Sequence, residues 1–241
     1  MAMTWSWPAD AATLVALQER LGAEAAAQRI ADPWRPPPSS LLAGGCFIAY
    51  PTGTTGVGSA GDRAWVAAVT WRTDTGTIVD EVVQATTVPA PYAPGLLALR
   101  EGMALAAAVA ALDRVPDLLL VDATGADHPR RAGLAVHLGA VLGIAAVGVT
   151  HRPLVARGDP PSVSVRGATS ALRVDAEEVA RWVCTRTRTS ALVAHAGWRT
   201  DAATAADVVL ATSTGAGRTP VPLALARTAA RTARARAAAS T

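Results

Sequence analysis

An aspartate at the end of a short apolar run, followed by a loop of charged side chains, is the stretch of this sequence best suited to chemistry. The run Leu118–Val121 has the length of a buried strand and is followed directly by Asp122. The loop beyond it carries His128, Arg130 and Arg131. A strand that delivers a carboxylate at its C-terminal end can hold a charged group at a cleft of an α/β fold. An ordinary strand-to-helix connection, with the aspartate as a cap, is the alternative. The histidine and two arginines favour a functional site.

The elements on either side of this stretch predict one domain over residues 1–217. A helix is predicted over 10–30, and a proline-rich, stiff connector over 32–38 follows it. Three strands joined by short links then predict an antiparallel meander. The later part alternates between helical and extended patterns. The strands are predicted over 41–50, 64–71, 77–87, 118–122 and 144–149, with further candidates over 179–186 and 191–195, and the helices over 96–112, 131–142 and 201–211. Residues 163–169 are expected to be irregular or a short extended piece.

The order of these elements, β-β-β-α-β-α-β, predicts an α/β fold of the ribonuclease-H-like kind. Its mixed sheet would combine the three-strand antiparallel meander with parallel strands and would be flanked by helices. In that layout, carboxylates from separate segments converge on divalent metal ions beside a nucleic-acid backbone. The predicted helix supplies Glu101 and the fourth strand supplies Asp122.

The charge of the chain is concentrated at its C-terminal end. The net charge is +3 over 241 residues, and all 22 basic residues are arginines. The segment 218–241 carries five of them and no acid, so we expect either a marginal helix or a disordered tail there. A basic, acid-free terminus is typical of proteins that bind nucleic acid, and a merely solubilising tail is the alternative.

Cysteine usage and the pattern of apolar residues exclude several classes of protein. Cys46 and Cys184 are too few and too far apart for a disulfide framework or a metal knuckle. The sequence has neither the pattern of an export signal nor an apolar run approaching roughly 20 residues. We therefore expect a cytoplasmic protein that does not enter membranes. A monomer is the expected state, although none of these patterns bears on it.

Four segments, in this order and at this spacing, resemble the endonuclease V family, the deoxyinosine-directed endonucleases. Residues 91–101 read PYAPGLLALRE and are similar to its PYxPG-aliphatic-RE signature. Residues 116–139 resemble its PDLLLVDGHG-x-x-HPRR-x-GLA-x-HLG block at most positions. Residues 147–154 and 41–46 are similar to its IGVAK-K-PL segment and its strand-one AG-x-D. The resemblance runs from about residue 10 to residue 210 and implies a DNA-repair endonuclease.

The resemblance implies a metal centre. Glu101 and Asp122 match two of the family's metal-binding carboxylates, which would hold Mg²⁺ or Mn²⁺. Such an ion polarises the scissile phosphate and activates water. His128 matches the histidine of the HPRR motif and would orient water or phosphate, and His151 stands at the position of the family's lysine.

The resemblance also implies a substrate site. The family uses the PYxP segment as a wedge at the lesion, and a proline-stiffened loop with one aromatic side chain is suited to stacking in place of an extruded base. Glycine backbone would line the inosine pocket, and arginines would contact phosphates. The matching residues are Pro91, Tyr92, Ala93 and Pro94 for the wedge, Gly95 and Gly125 for the pocket, and Arg130 and Arg131 for the phosphates.

Three positions depart from the family's pattern. The strand-one aspartate is Cys46 here, the lysine is His151, and the histidine of a late SPGH motif aligns with Trp198. A thiol is mostly protonated near neutral pH and is a soft ligand, so it replaces a carboxylate on Mg²⁺ poorly. Two hypotheses follow. The chain is a metal-dependent endonuclease that cleaves DNA on the 3′ side of deoxyinosine, or it is a homologue that has lost its metal site and binds inosine-containing or structured nucleic acid, DNA or RNA.

Overall fold

A computed structural model of the chain describes residues 5–37, 40–53 and 56–239. Pro38, the last residue of the predicted connector, lies outside these ranges. Within them the chain forms eight strands and five α-helices. The strands are β1 (Leu42–Ala49), β2 (Arg63–Arg72), β3 (Thr77–Thr87), β4 (Leu118–Val121), β5 (Ala145–Thr150), β6 (Thr169–Val174), β7 (Glu177–Val183) and β8 (Leu192–Ala196). The helices are α1 (Ala11–Ala31), α2 (Met103–Ala110), α3 (Leu134–Leu142), α4 (Ala202–Ala211) and α5 (Val221–Ala239).

The strands form one mixed sheet in the order β3-β2-β1-β4-β5-β8-β7-β6. Strands β1, β2 and β3 are the antiparallel meander. Strand β4 pairs in parallel with β1 on one side and with β5 on the other. The predicted fold class, a mixed sheet of a meander and parallel strands flanked by helices, is therefore confirmed.

The central strand β4 is apolar throughout because helices cover both faces of the sheet. Leu119 and Val121 pack in a core with α2 and α3. Leu118 and Leu120 point to the other face, where they join a core that includes residues of α4 and α5. Side chains alternate between faces along a strand. Continuing that alternation by one residue directs Asp122 to the face that α5 covers.

Apart from shifts of one to three residues at the ends of other elements, three elements differ from the sequence-based predictions. Strand β6 has no counterpart among the predicted strands and begins at the end of the stretch 163–169. It lacks an apolar run because it is a half-exposed edge strand that pairs with β7. Helix α3 begins at Leu134 and not at Arg131, since Arg131 has a left-handed backbone with φ of 57° and Gly133 is extended. The predicted helix over 96–112 begins with a π-helical turn, described below.

The C-terminal segment is a helix that packs on the sheet. Leu223, Ala226 and Ala230 are buried, and α5 lies against β1 and β2. The approach is close because β1 offers Gly45, where a Cβ atom would collide with the backbone of Pro222. Of the two alternatives predicted for the C-terminal segment, the structure therefore has the helix, and a disordered tail is wrong for residues 221–239. Among the described residues, no helix is both long and apolar enough to span a membrane.

Candidate functional site

Glu101 lies in a π-helical turn, Ala98–Gly102, directly before α2. Such turns insert one extra residue into a helix and are frequent at functional sites. The Tyr50 hydroxyl donates a hydrogen bond of 3.0 Å to Oε1 of Glu101. Burial raises the pKa of Glu101 to about 7, while the tyrosine hydrogen bond and the charge of Arg100 oppose the rise and Asp122 adds to it.

Arg100, the neighbour of Glu101, ties this turn to the surrounding loops. Its guanidinium lies over the ring of Tyr50, 4.5 Å from the centroid. One terminal nitrogen donates to the carbonyl of Ala90 at 2.5 Å, and the other pairs with Asp62 at 2.9 Å. The arginine is buried and so fixes the start of the loop that leads to Pro91. The position of Glu101 therefore depends on three separate segments that one side chain holds together.

Asp122 pairs with an arginine of the C-terminal helix. Nη2 of Arg227 lies 3.0 Å from Oδ2 of Asp122, and both side chains are about two-thirds or more buried. The guanidinium of Arg227 also lies over the ring of Phe47, 5.2 Å from its centroid. Sequence reasoning missed this contact, because it placed the arginine in a tail and nothing in the sequence indicates which face of that helix meets the sheet.

Cys46 lies beside the two carboxylates. It is opposite Val121 in the parallel pairing of β1 and β4, and it lines a cavity of about 260 Å³ together with Glu101 and Asp122. Burial raises the pKa of the thiol, and the negative charges of Asp122 and Glu101 raise it further. Cys46 therefore stays protonated at neutral pH. The neighbourhood expected from the resemblance is present, while the replacement of a metal-binding aspartate by this cysteine stays a prediction.

In the absence of nucleic acid, these residues offer a hard divalent cation only the two carboxylates, which is a poor fit. Of the described residues, no group of three or more His, Cys, Asp and Glu side chains is arranged to hold a metal ion. Mg²⁺ and Mn²⁺ prefer several oxygen ligands, and a neutral, soft thiol supplies none. A guanidinium already neutralises Asp122. Glu101 already accepts a hydrogen bond from the Tyr50 hydroxyl.

The wedge loop, Pro91–Pro94, lies over the site. The amide of Tyr92 donates to the carbonyl of Val57 at 2.8 Å, and the tyrosine side chain is 46% exposed. Gly95 ends the loop with a φ of 74°, a conformation that glycine adopts without a steric cost. An exposed aromatic ring on an anchored loop is available to stack on a base.

Three side chains hold the carbonyl oxygen of Gly95. Arg130 donates to it through Nη2 at 2.8 Å, and Gln18 donates through Nε2 at 3.3 Å. Nε2 of His128 lies 3.2 Å from the same oxygen. The Nε of Arg130 also donates to Oε1 of Gln18 at 2.8 Å, so the donors are linked to one another. The end of the wedge loop is thereby fixed to α1 and to the loop after β4.

His128 is neutral in this arrangement. Its Nδ1 accepts a hydrogen bond from the amide of Arg130 at 3.2 Å, so the proton is on Nε2, which donates to Gly95. Burial lowers the pKa of His128 to about 4, and the nearby Arg130 charge lowers it as well. Both ring nitrogens are thus engaged within the chain, and the predicted role of His128 toward water or phosphate stays a prediction.

Gln18 was missed in the sequence. It is a buried amide on the apolar face of α1, one turn after Leu14 and one turn before Leu21, both of which are buried too. A polar residue at a core position of an amphipathic helix is the indication that could have identified it, because a buried amide requires partners. Its partners are Gly95 and Arg130.

Arg131 and Gly125 lie away from the pocket. The guanidinium of Arg131 reaches the turn between β6 and β7, 3.4 Å from a carboxylate oxygen of Glu177 and 3.4 Å from the carbonyl of Val174. Gly125 is packed against the carbonyl of Ala196 on β8, where no Cβ would fit. Gly125 itself therefore does not line the pocket, because its backbone packs on β8, while Gly95 and the neighbours of Gly125, Ala123 and Thr124, do line it.

A pocket of about 230 Å³ lies between the wedge loop and the loop after β4. A second one, of about 270 Å³, adjoins it on the far side of Tyr92 and extends to Tyr50 and Glu101. The first is small against the roughly 300–1,000 Å³ of pockets for drug-sized ligands. A single base is a ligand of suitable size. The first pocket is lined by Gln18, Tyr92, Pro94, Gly95, Leu97, Ala98, Asp122, Ala123, Thr124, His128, Gly133, Leu134, Thr150 and Leu154.

Asp127 does not line this pocket but holds in place the part of its wall that Leu154 forms. Its buried carboxylate accepts hydrogen bonds from the amides of Leu154, Val155 and Ala156 at 2.7–2.8 Å. This holds Leu154 at the pocket. Nδ1 of His195 lies 3.5 Å from the same carboxylate. Asp127 is therefore a positioning residue for the segment after β5.

His151 lies beside Arg218, within range of the charges of Asp122 and Arg227. Its ring contacts the guanidinium of Arg218 through Nδ1. Partial burial lowers the pKa of His151, as do the charges of Arg218 and Arg227, while Asp122 raises it. Its predicted catalytic role stays a prediction. Trp198 is buried in the core beside α1 and α3.

Three arginines of α5 form a row, the arginine stripe, which consists of Arg227, Arg231 and Arg234. They stand at spacings of four and three residues and so share one face of the helix. Arg231 lies over the ring of Phe47, 5.6 Å from its centroid, and Arg234 donates to the carbonyl of Tyr50 at 3.2 Å. The stripe therefore runs from Asp122 along β1 toward the second pocket.

The chain is similar to known proteins in both sequence and structure. A model of the Endonuclease V family matches residues 50–228. The endonuclease V of Streptomyces coelicolor is 38% identical over 182 residues, which are 75% of this chain and 72% of that protein. The crystal structure of endonuclease V from Streptomyces avermitilis is 32% identical, has a TM-score of 0.83, and aligns over 97% of this chain and 96% of the other.

A more distant structure shows the same fold. The endonuclease V of Ciona intestinalis, in complex with a 24-mer DNA containing an inosine followed by a ribo-adenosine, is 18% identical and has a TM-score of 0.73. The two chains align over 93% of this one and 97% of the other. The ribonuclease-H-like sheet, the wedge loop beside a small pocket and the family match over most of the sequence agree, and the chain belongs to the endonuclease V family.

Proposed function

We propose that this protein binds inosine-containing DNA through the pocket beneath the wedge loop and that it does so without a metal ion. The observation that carries the proposal is the fixed carbonyl of Gly95, which Arg130, His128 and Gln18 hold together. A wedge that separates bases must resist displacement, and three donors on one oxygen give the loop that rigidity. The inosine-containing DNA bound by the Ciona relative is the model for the ligand.

The pocket suits an extruded base. Proteins that read a single damaged base take it out of the stack and bind it in a small pocket, while another group fills the gap. Tyr92 lies between the two pockets and is exposed, so its ring can fill that gap. The apolar side chains of Leu97 and Leu134 offer contact to the base, and the Thr124 hydroxyl offers it a polar partner.

The phosphates have a separate set of partners. Arg231 and Arg234 of the arginine stripe lie beside Phe47 and Tyr50, where the backbone of a bound strand would pass. Sequence-independent contacts of this kind position the nucleic acid, and the pocket supplies selectivity. The basic C-terminal segment would thus contact phosphates while it is packed on the sheet as α5.

The state of the two carboxylates favours binding over cleavage. Asp122 is paired with Arg227, Glu101 accepts a hydrogen bond from Tyr50, and Cys46 is a buried thiol. Hydrolysis of a phosphodiester by metal-activated water requires a well-held cation. With a guanidinium on one of two carboxylates, this donor set would hold a cation poorly, so we assign the chain recognition without turnover.

Cleavage is the second candidate function, because the chain belongs to a family of nucleases. In that case it would hydrolyse DNA on the 3′ side of deoxyinosine, leaving a 3′-hydroxyl and a 5′-phosphate. Its favouring observation is that Glu101 and Asp122 line one cavity, as expected of two ligands of Mg²⁺ or Mn²⁺. Either function serves the repair of deaminated adenine. A cytoplasmic location and a monomeric state stay predictions.

Fluorescence anisotropy with two labelled duplexes tests the proposal. One carries a single deoxyinosine, the other has deoxyadenosine in its place, and both are titrated with the protein in EDTA. We expect the deoxyinosine duplex to bind at least about tenfold more tightly, a difference of about 1.4 kcal/mol. Tyr92→Ala should weaken that binding by about tenfold, since base–aromatic stacking contributes roughly 1–3 kcal/mol.

Two variants serve as controls in this titration. Tyr92→Phe keeps the ring and should bind like the unmodified protein. Val115→Ala changes an exposed apolar side chain at the other end of β4 and should also bind normally. Equal affinity for the two duplexes would overturn the proposed recognition of inosine.

A further inference from the structure

We propose that Arg227 is a built-in counter-ion for Asp122, which closes this site to divalent cations. The inference concerns the protein without nucleic acid, and so it stands or falls separately from the proposed recognition of inosine. Nη2 of Arg227 and Oδ2 of Asp122 form an ion pair of 3.0 Å. The fold brings these two residues together across 105 positions of sequence.

The direction of Asp122 is set by the sheet. Leu118 and Leu120 face the α4 and α5 side, and Leu119 and Val121 face the α2 and α3 side. Asp122 follows Val121 and so points toward α5. A carboxylate at this strand end therefore meets whatever side chain α5 presents.

The position of α5 is set just as firmly. Gly45 of β1 admits the backbone of Pro222 at a distance that no other residue would allow. Leu223, Ala226 and Ala230 are buried beneath the helix. Arg227 follows Ala226 directly and so leaves the helix at the margin of that buried face, level with the end of β4.

The guanidinium is then enclosed. It lies over the ring of Phe47, 5.2 Å from its centroid, and its Nε is buried without a hydrogen-bond partner among the described residues. A guanidinium held in this way on an aromatic face and a carboxylate has little freedom to turn away. Its charge is a permanent one, because arginine is not deprotonated in proteins.

The single positive charge of Arg227 matches the charge around the cavity. Asp122 is the carboxylate that Arg227 neutralises, and Glu101 has a hydrogen-bond partner of its own in Tyr50. Cys46 is buried, and its soft sulfur offers no oxygen ligand. A divalent ion would have to displace the guanidinium or bind beside a like charge, with few oxygen ligands in return. Arg227 therefore occupies the position beside Asp122 that a divalent ion would need.

Manganese binding by the full-length protein, without nucleic acid, tests this inference. Free Mn²⁺ is followed by electron paramagnetic resonance, and the melting temperature is measured in EDTA and in excess Mg²⁺. We expect no saturable site in the unmodified protein at Mn²⁺ concentrations up to about 1 mM, the weak end of specific affinity. We also expect the same melting temperature in both solutions, because a ligand that does not bind cannot stabilise.

Arg227→Gln removes the charge and should create Mn²⁺ binding at least tenfold tighter than that of the unmodified protein. Arg227→Lys keeps a charge at this position and should bind as little Mn²⁺ as the unmodified protein. Arg231→Gln is the matched control, because Arg231 lies over the same Phe47 ring and makes no ion pair among the described residues. That variant should leave Mn²⁺ binding unchanged.

Cys46→Asp combined with Arg227→Gln adds the missing oxygen ligands and should bind Mn²⁺ more tightly than Arg227→Gln alone. Should the double variant fail to fold, the comparison of Arg227→Gln with Arg231→Gln decides the matter by itself. Saturable Mn²⁺ binding by the unmodified protein would overturn the inference. So would equal Mn²⁺ binding by Arg227→Gln and the unmodified protein.

Discussion

The guanidinium of Arg130 lies 2.8 Å from the carbonyl oxygen of Gly95, 35 positions earlier in the chain. The contact joins the wedge loop to the loop after β4, the two segments that enclose the base-sized pocket. A charged donor makes such a bond stronger than one between neutral groups. Arg130 thereby acts on the shape of the pocket, and a phosphate would have to compete with Gly95 and Gln18 for its guanidinium.

Arg130→Gln should lower the preference for deoxyinosine over deoxyadenosine by roughly tenfold, the equivalent of losing one charge-assisted hydrogen bond of about 1.5–3 kcal/mol. The dependence of affinity on salt should stay as it is, because no phosphate contact is lost. Anisotropy titrations of both duplexes over a range of salt concentrations measure the two quantities together.

Arg131→Gln is the control for that experiment, since the Arg131 side chain pairs with Glu177 away from the pocket. It should leave selectivity unchanged. If Arg130 instead contacts a phosphate, its substitution will weaken binding to both duplexes equally and reduce the salt slope by about one.

The arginine stripe should carry the salt dependence of binding. We expect Arg231→Gln combined with Arg234→Gln to reduce the slope of log affinity against log salt by about 1–2, since each phosphate neutralised adds about 0.9. Selectivity for deoxyinosine should persist. Arg173→Gln, on the far edge strand β6, is the matched loss of an exposed arginine. An unchanged slope in the double variant would show that these two arginines do not contact phosphates.

Gly45→Ala should detach or displace α5. The added methyl group would overlap the backbone of Pro222, and overpacking of this kind costs about 1–3 kcal/mol of unfolding free energy. Chemical denaturation followed by circular dichroism measures the loss. Gly217→Ala is the control, because only one atom lies as near as 4.0 Å to the Cβ position. Equal stabilities of the two variants would contradict the close approach of α5 to β1.

His137 should make the protein less stable in mild acid. Its ring stacks on Trp7 with centroids 4.3 Å apart, and its Nδ1 is buried without a partner among the described residues. Burial lowers its pKa from 6.5 to about 4. The folded protein therefore binds this proton less well than the unfolded chain does. The stabilisation is complete above pH 6.5 and is lost as the pH falls toward 4.

The size of this effect is about 3 kcal/mol, at about 1.4 kcal/mol per pH unit. His137→Phe keeps an aromatic ring against Trp7 and removes the titrating group. Urea denaturation at a series of pH values should show a smaller loss of stability in acid for the variant. The remaining loss comes from His128 and His195, whose pKa values are also lowered to about 4 by burial. Parallel pH profiles of the two proteins would show that His137 does not contribute.

The central part of the fold could be predicted because its patterns are local. The apolar run of β4 predicts a strand covered on both faces, and Asp122 at its end predicts a cleft. The turn residues between β1, β2 and β3 indicate the meander. Strand β6 escaped prediction, because an edge strand with one half-exposed face has a weak pattern.

The site was predicted only in part because its contacts join distant segments. Glu101, Asp122 and Cys46 do line one cavity. The partner of Asp122 could not be found from the sequence, since it depends on how α5 rests on the sheet. An alanine- and arginine-rich segment is compatible with disorder. It folds onto β1 because Leu223, Ala226 and Ala230 become buried there and Gly45 admits the backbone of Pro222.

Single-turnover cleavage tests the central claim of recognition without hydrolysis most directly. An end-labelled deoxyinosine duplex is incubated with excess protein in Mg²⁺ and in Mn²⁺, and binding is verified in the same samples. We predict a bound, intact duplex in both metals. A nick on the 3′ side of deoxyinosine that disappears in Asp122→Ala would contradict the claim and establish the chain as an active nuclease.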